Sequence, residues 1–307
     1  IVDVYAVPIG WWRGNGTVEY FRDRLGFTYH GTGDLPENFV YNTGSEVHFL
    51  RRLVSTFLSP LAAGYLFVVA LLLAPYRRLA LVLGAVAFAG LLFTFSRSSL
   101  LALAAGVVVL ALVRRSPRPL ALAVLVVAVS VGWAHLFPHV GPTGRWTAQD
   151  LVLQRQIAAK KGPTGGATSL GESSISSHLT NLREGVRAVL DHPQGYGLGN
   201  AGEVASRAGT HLYAGESNYT ELGVETGLLG ALLWIAWGLA VLVGLVRSRA
   251  AGAAAAFAAV LVLAVQTDVL GDPWIAYCVW ALAGGLLVPT MERSWRSIPE
   301  STLATST

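Results

Sequence analysis

Apolar residues gather into runs at 53 to 74, 120 to 137, 222 to 246, 252 to 270 and 274 to 291. Each is close to the roughly 20 residues that a helix needs to cross a bilayer core of about 30 Å. A further stretch, 79 to 113, is too long for one pass, since a straight helix of that length would measure roughly 50 Å. Ser96-Arg97-Ser98-Ser99 interrupts it midway. The pattern therefore predicts two short helices, 79 to 95 and 97 to 113, that meet at one membrane face with Arg97 at their junction. The expected fold class is an all-α integral membrane protein of about seven transmembrane helices with a large, partly helical extracytoplasmic loop.

The polar remainder divides the chain. An N-terminal segment, 1 to 52, is polar and aromatic, has no signal-peptide pattern, and is expected to lack a core of its own. Helices occupy 53 to 137 and 222 to 291, a long loop fills 138 to 221, and 292 to 307 form a tail. Within the loop, Thr147 to Lys161 and Ser176 to Leu190 read as amphipathic helices, the second ended by His192-Pro193. Gly162 to Gly171 reads as a flexible connector, and Gly195, Gly197, Gly199 and Gly202 permit tight turns or close approach to a ligand.

Charge fixes the orientation. Arg77, Arg78, Arg114, Arg115, Arg118, Arg247, Arg249, Arg293 and Arg296 fall on one side if seven helices alternate, and that side is cytoplasmic by the positive-inside rule. The long loop, the N-terminal segment and Arg97 then face outward, and 292 to 307 becomes a cytoplasmic tail. The composition agrees: 53% of the 307 residues are hydrophobic and 13% charged, against about 25% charged in soluble domains. A net charge of +4, scattered between apolar runs, gives no reason to expect nucleic acid. Cys278 stands alone, so no intrachain disulfide forms.

Arg97 is the most informative residue, because an arginine within apolar sequence costs about 2.5 to 3.5 kcal/mol at mid-membrane and usually faces a pathway or a polar ligand. It suits a diphosphate or carboxylate; equally, it reads as a turn residue snorkelling at the interface. Glu216, Asn218, Tyr219, Glu221 and Glu225 cluster where the loop re-enters the membrane, with Asn218, Glu221 and Glu225 on one helical face. Such carboxylates offer a general base, or simply favour a helix start. Arg183 and Arg187, one turn apart, could bind phosphate or lie against anionic headgroups. Asp268 and Asp272 could orient such cations or merely be interfacial. Histidine spacing predicts no metal site, and no G-x-x-x-x-G-K or G-x-S-x-G motif occurs.

Three segments, taken in order, resemble the O-antigen ligase and polymerase family. They are Phe93 to Ala102 around Ser96-Arg97, Asn181-Leu182-Arg183 through His192-Pro193-Gln194-Gly195-Tyr196-Gly197-Leu198-Gly199-Asn200, and Glu216-Ser217-Asn218-Tyr219 to Glu225-Thr226-Gly227-Leu228-Leu229-Gly230. A looser match, Arg52 to Pro60, has Leu61 where the family usually has Asn. The resemblance spans about residues 50 to 290. Because the family normally carries further N-terminal helices, it implies an N-terminally truncated member.

The resemblance also implies an activity: glycan transfer from a polyprenyl diphosphate carrier to a glycan or lipid acceptor, on the outer face of the cytoplasmic membrane, without metal or other cofactor. Arg97 and Arg183 would hold the diphosphate. Glu216 stands where ligases carry histidine and some polymerase-like members carry Glu, which favours a polymerase or a ligase with another acceptor. Arg52, Arg187, Gly197, Asn218, Tyr219, Glu221 and Glu225 would line the substrate. A transporter or flippase, or a scaffold of a glycan-assembly machine, would share the helices but put charges deep within several of them.

Overall fold

The computed structural model describes residues 2–24, 35–36, 38–42, 49–74, 78–161, 173–202, 204–205, 209–215, 217–269 and 273–296. Among these residues, three helices are long and apolar enough to cross a membrane: α6 (Arg97–Arg114), α7 (Arg118–Val140) and α10 (Asn218–Arg247). Shorter apolar helices accompany them: α4 (Pro60–Leu73), α5 (Arg78–Thr94), α11 (Ala251–Leu263) and α12 (Pro273–Arg296). Small residues bring these together, as expected where lipid gives no hydrophobic drive and close backbone packing must supply the attraction. A side chain on Gly64 would strike the Ser99 hydroxyl at 2.7 Å, and one on Gly106 would meet the Ala255 carbonyl at 3.0 Å. Gly252 would meet the Leu72 carbonyl at 2.9 Å, so α4, α6 and α11 share one seam. Most of α11 is buried there, from Ala253 to Val260.

Several helix limits differ from those expected. The apolar run at 53 to 74 makes a short 3-10 turn at Ser55–Phe57 and becomes α-helical only at Pro60, where Ser59 caps α4 and its Oγ accepts from the Leu61 N–H. Proline at the first helical position disfavours helix before it, and Leu58 takes a left-handed φ of 55°. The run at 252 to 270 ends as helix at Leu263. At the other end of the chain α12 continues to Arg296, past the expected start of the tail at 292.

The N-terminal segment does bury a core. Helices α1 (Val2–Ala6), α2 (Ile9–Gly14) and α3 (Thr17–Asp23) precede a two-stranded antiparallel ribbon, β1 (Val40–Asn42) and β2 (Phe49–Arg51), paired Tyr41 to Leu50. The ribbon, with isolated bridges from Leu50 to Thr143 and from Ala201 to Ala214, departs from an all-α chain. Ile9, Trp12, Leu35, Phe39, Val54 and Leu58 pack together, a cluster of two aromatic and four aliphatic side chains at irregular spacing and therefore invisible to periodicity. Arg51, only 3% exposed, ties it down. Its guanidinium donates to the carbonyls of Val7 at 2.6 Å and Asp3 at 3.0 Å and lies 5.0 Å from the centre of the Phe39 ring. Burial lowers its pKa, against the Asp3 carboxylate, which raises it.

Both loop helices form: α8 (Ala148–Lys161) and α9 (Ser173–Asp191); the connector at 162 to 171 lies outside the described residues. Thr147 and Asp150 make a reciprocal cap for α8, the Asp150 carboxylate accepting from the Thr147 N–H and hydroxyl, each at 2.8 Å, while the Asp150 N–H donates to the Thr147 Oγ. Arg13 of α2 pairs with the same carboxylate. Burial pushes the Asp150 carboxyl up, but Arg13 and Thr147 together outweigh it and hold it below the usual 3.8. A depressed folded-state pKa contributes stability above the unfolded value and loses it as pH falls further. Asp150→Asn is therefore expected to cost about 1 kcal/mol at neutral pH, measured by thermal unfolding, with the gap to the unmodified protein closing below pH 3.8.

Candidate functional site

Two polar clusters stand at helix ends within the apolar bundle. The first is the break between α5 and α6, which falls where the sequence placed it. Phe95 takes a left-handed φ of 49°, and Ser96 caps α6, its Oγ lying 2.7 Å from the Ser99 Oγ. Arg97 follows as the first helical residue, half-buried, where the positive end of the helix dipole adds to its own charge. Arg52 braces the turn from outside the helix. Its Nε donates to the Thr94 carbonyl at 2.8 Å, and Nη2 reaches the Phe95 carbonyl at 3.5 Å. The strained turn is thus clamped by one arginine and leads directly into a second.

The second cluster is built on a bend in α10. Gly227 interrupts the helix with φ 82° and ψ 175°, a conformation essentially confined to glycine. The element is two legs, 218 to 226 and 228 to 247. They fold back sharply: Trp234 Nε1 donates to Asn218 Oδ1 at 3.1 Å, although these residues would lie roughly 24 Å apart along a straight helix. Asn218 also donates to the Asp268 carboxylate, and its backbone N–H and the Ser217 hydroxyl both donate to the Ala264 carbonyl just beyond α11. The Tyr219 hydroxyl donates to the Leu261 carbonyl of α11 at 2.9 Å. The expected single helix at 222 to 246 is corrected by this geometry.

The glycine-rich loop fills the bend. Leu228 N–H donates to the Pro193 carbonyl at 2.8 Å and Tyr196 N–H to the Val224 carbonyl at 2.6 Å, so backbone groups released by the kink find partners in the loop. The approach leaves no room for a Cβ, which on Gly195 would lie 2.6 Å from the Gly227 nitrogen. Glu225 Oε1 accepts from the Gly199 N–H at 2.9 Å, and Glu221, buried, lies against Gly202. Gly197, at φ 95°, turns the loop beside Asn200, whose Nδ2 donates to the Gly197 carbonyl.

Of the residues singled out in the sequence, Asn218, Glu221, Glu225 and Gly197 are brought together by the bend and its loop. Arg97 and Arg52 gather at the α5–α6 turn. Arg183 and Arg187 are exposed on α9, and Arg187 lies 3.6 Å from Asp191. Glu216 and Asp272 lie outside the described residues. Trp234, Asp268 and the facing pair Gly195 and Gly227 carry the second cluster, yet their partnerships were not readable beforehand; the run of spaced glycines was the only signal for the last of these.

A family profile described as O-antigen ligase matches residues 79–235, from α5 into the second leg of α10, and both clusters lie on or beside it. The chain belongs to the O-antigen ligase family. No curated protein matches it. Family and apolar helices together make this a membrane protein with a role in glycan transfer.

Proposed function

We propose that this chain transfers glycan from a polyprenyl diphosphate carrier to a glycan or lipid acceptor at the outer face of the cytoplasmic membrane, without a metal. The reading takes the chain as crossing the membrane seven times, with 1 to 52 and 138 to 221 outside. Its main support is the placement of Arg97 at the capped start of α6. With helices alternating across the bilayer, α11 runs antiparallel to α6, and the close approach of Gly106 to the Ala255 carbonyl sets their register. Arg97 and Ala264 lie equally far along their helices from that pairing, so Arg97 stands level with the carbonyl that anchors Ser217 and Asn218. Glu216 immediately precedes Ser217 in the sequence.

In this reaction the acceptor hydroxyl oxygen bonds to the anomeric carbon while the bond from that carbon to the diphosphate oxygen breaks. The hydroxyl proton passes to Glu216 as general base, and the bonding pair leaves on the diphosphate. Arg97, the positive end of the α6 dipole and Arg183 stabilise that departing charge. Arg52, by clamping the turn, acts as a positioning residue. Arg97→Ala is expected to remove at least about a hundredfold of activity, the scale of losing one electrostatic donor. The check is the long-chain glycan ladder from cells whose own enzyme has been deleted. A full ladder at normal protein level would overturn the proposal.

A further inference from the structure

Helix α9 carries three distinct faces. Gly185 and Val189 dock on the first leg of α10, where a Cβ on Gly185 would meet the Thr220 Oγ1 at 2.8 Å and one on Gly223 would meet Val189 at 2.7 Å. Thr180, Glu184 and Asp191 form a solvated polar face. Between them runs an apolar stripe that nothing in the chain covers among the described residues: Leu179, Val186 and Leu190 are 43%, 46% and 62% exposed. At about 100° per residue these three fall within a narrow arc, and Arg183 and Arg187 lie along its polar margin.

We infer that this stripe rests in the outer headgroup layer of the bilayer, so that α9 lies along the membrane surface with Arg183 and Arg187 against anionic headgroups. Depth is set by the docking. Val189 belongs to the same packed cluster as Val224 and Leu228, and Leu228 opens the second leg of α10, a helix apolar enough to cross a membrane, on which Leu229, Leu232 and Leu233 are exposed. The C-terminal half of α9 is therefore level with the point where α10 enters the bilayer, and its stripe continues that apolar surface. Cations flanking an apolar stripe are the pattern of an interfacial helix, in which buried apolar area and attraction to anionic lipid act together. The inference rests on membrane residence and not on glycan transfer, but it would hold Arg183 at the height of a lipid diphosphate.

The test is a single-cysteine scan in full-length protein with Cys278→Ser. An environment-sensitive fluorophore is placed in turn at Leu179, Val186, Leu190, Thr180, Glu184 and Asp191. The vesicles contain phosphatidylcholine and phosphatidylglycerol, with lipids brominated near the headgroup as quenchers. Probes at the first three positions should be blue-shifted and quenched at least about twofold more than those at the last three, as for a helix lying in the interface. Removing phosphatidylglycerol should weaken the quenching at Val186, and Arg183→Gln with Arg187→Gln should remove that dependence. Uniform quenching around the helix would overturn the inference. So would a blue shift without quenching, which would mean that protein, not lipid, covers the stripe, and so would quenching indifferent to phosphatidylglycerol.

Discussion

Gly227→Ala is expected to abolish glycan assembly and to cost at least about 3 kcal/mol, the sum of a forbidden backbone conformation and lost buried hydrogen bonds. At φ 82° and ψ 175° an L side chain is strained whatever the space, and the space is absent too. A Cβ there would lie 2.5 Å from the Pro193 carbonyl oxygen and 2.8 Å from the Gln194 carbonyl carbon. Both are backbone atoms, so no side chain can rotate away. The loop must lift from the bend, leaving the Leu228 and Tyr196 N–H groups without the Pro193 and Val224 carbonyls. If instead the bend straightens, the contact between Asn218 and Trp234 cannot survive. Gly132→Ala in α7 is the control, because nothing lies within 4 Å of its added methyl group; it should be neutral or slightly stabilising. Thermal unfolding in detergent and the glycan ladder report the two effects separately.

Arg51→Met should destabilise the extramembrane cluster by about 3 kcal/mol, the scale of breaking a buried charged network by removing one member. Methionine fills much of the volume but leaves the carbonyls of Val7 and Asp3 without their donors and the Asp3 carboxylate without the guanidinium 3.8 Å away. The loss is confined. Helix α1 is held to β2 through these bonds, whereas the seam of α4, α6 and α11 does not involve Arg51. Limited proteolysis should therefore release the N-terminal segment before the helical bundle unfolds. Simultaneous loss of both would show that the segment and the bundle form one cooperative unit.

How far the sequence carried depends on whether a feature is periodic. The break at Ser96-Arg97 was legible because a charge inside an apolar run is costly and a 50 Å helix does not fit a bilayer. Helix α9 was legible from its 3.6-residue pattern and its stop at His192-Pro193, though it begins at Ser173 instead of Ser176. The bend at Gly227 was not. In an apolar run a glycine equally signals helix packing, and only the approach of residues 193 to 196, far away in sequence, decides between the two. The burial of Arg51 was not legible either, since it ends a three-residue strand and nothing local says which face of that strand is covered. The partnership of Asn218 with Asp268 and Trp234 arises only once α10 folds back against the end of α11. Of the chemistry, the meeting of Arg52 with the turn that precedes Arg97 was not legible, because it depends on bonds to the Thr94 and Phe95 carbonyls, and neither were the bond from the Gly199 N–H to Glu225 and the burial of Glu221 against Gly202.

In the proposed reaction Arg97 grips a lipid diphosphate while Glu216 takes the acceptor proton. Purified protein in nanodiscs, supplied with a polyprenyl-diphosphate glycan and acceptor, tests it most directly by following released polyprenyl diphosphate alongside donor binding. Glu216→Gln should still bind the donor but release no carrier, whereas Arg97→Ala should fail to bind it. Carrier release by Glu216→Gln at the rate of the unmodified protein, or unaltered donor binding by Arg97→Ala, would rule out these two roles.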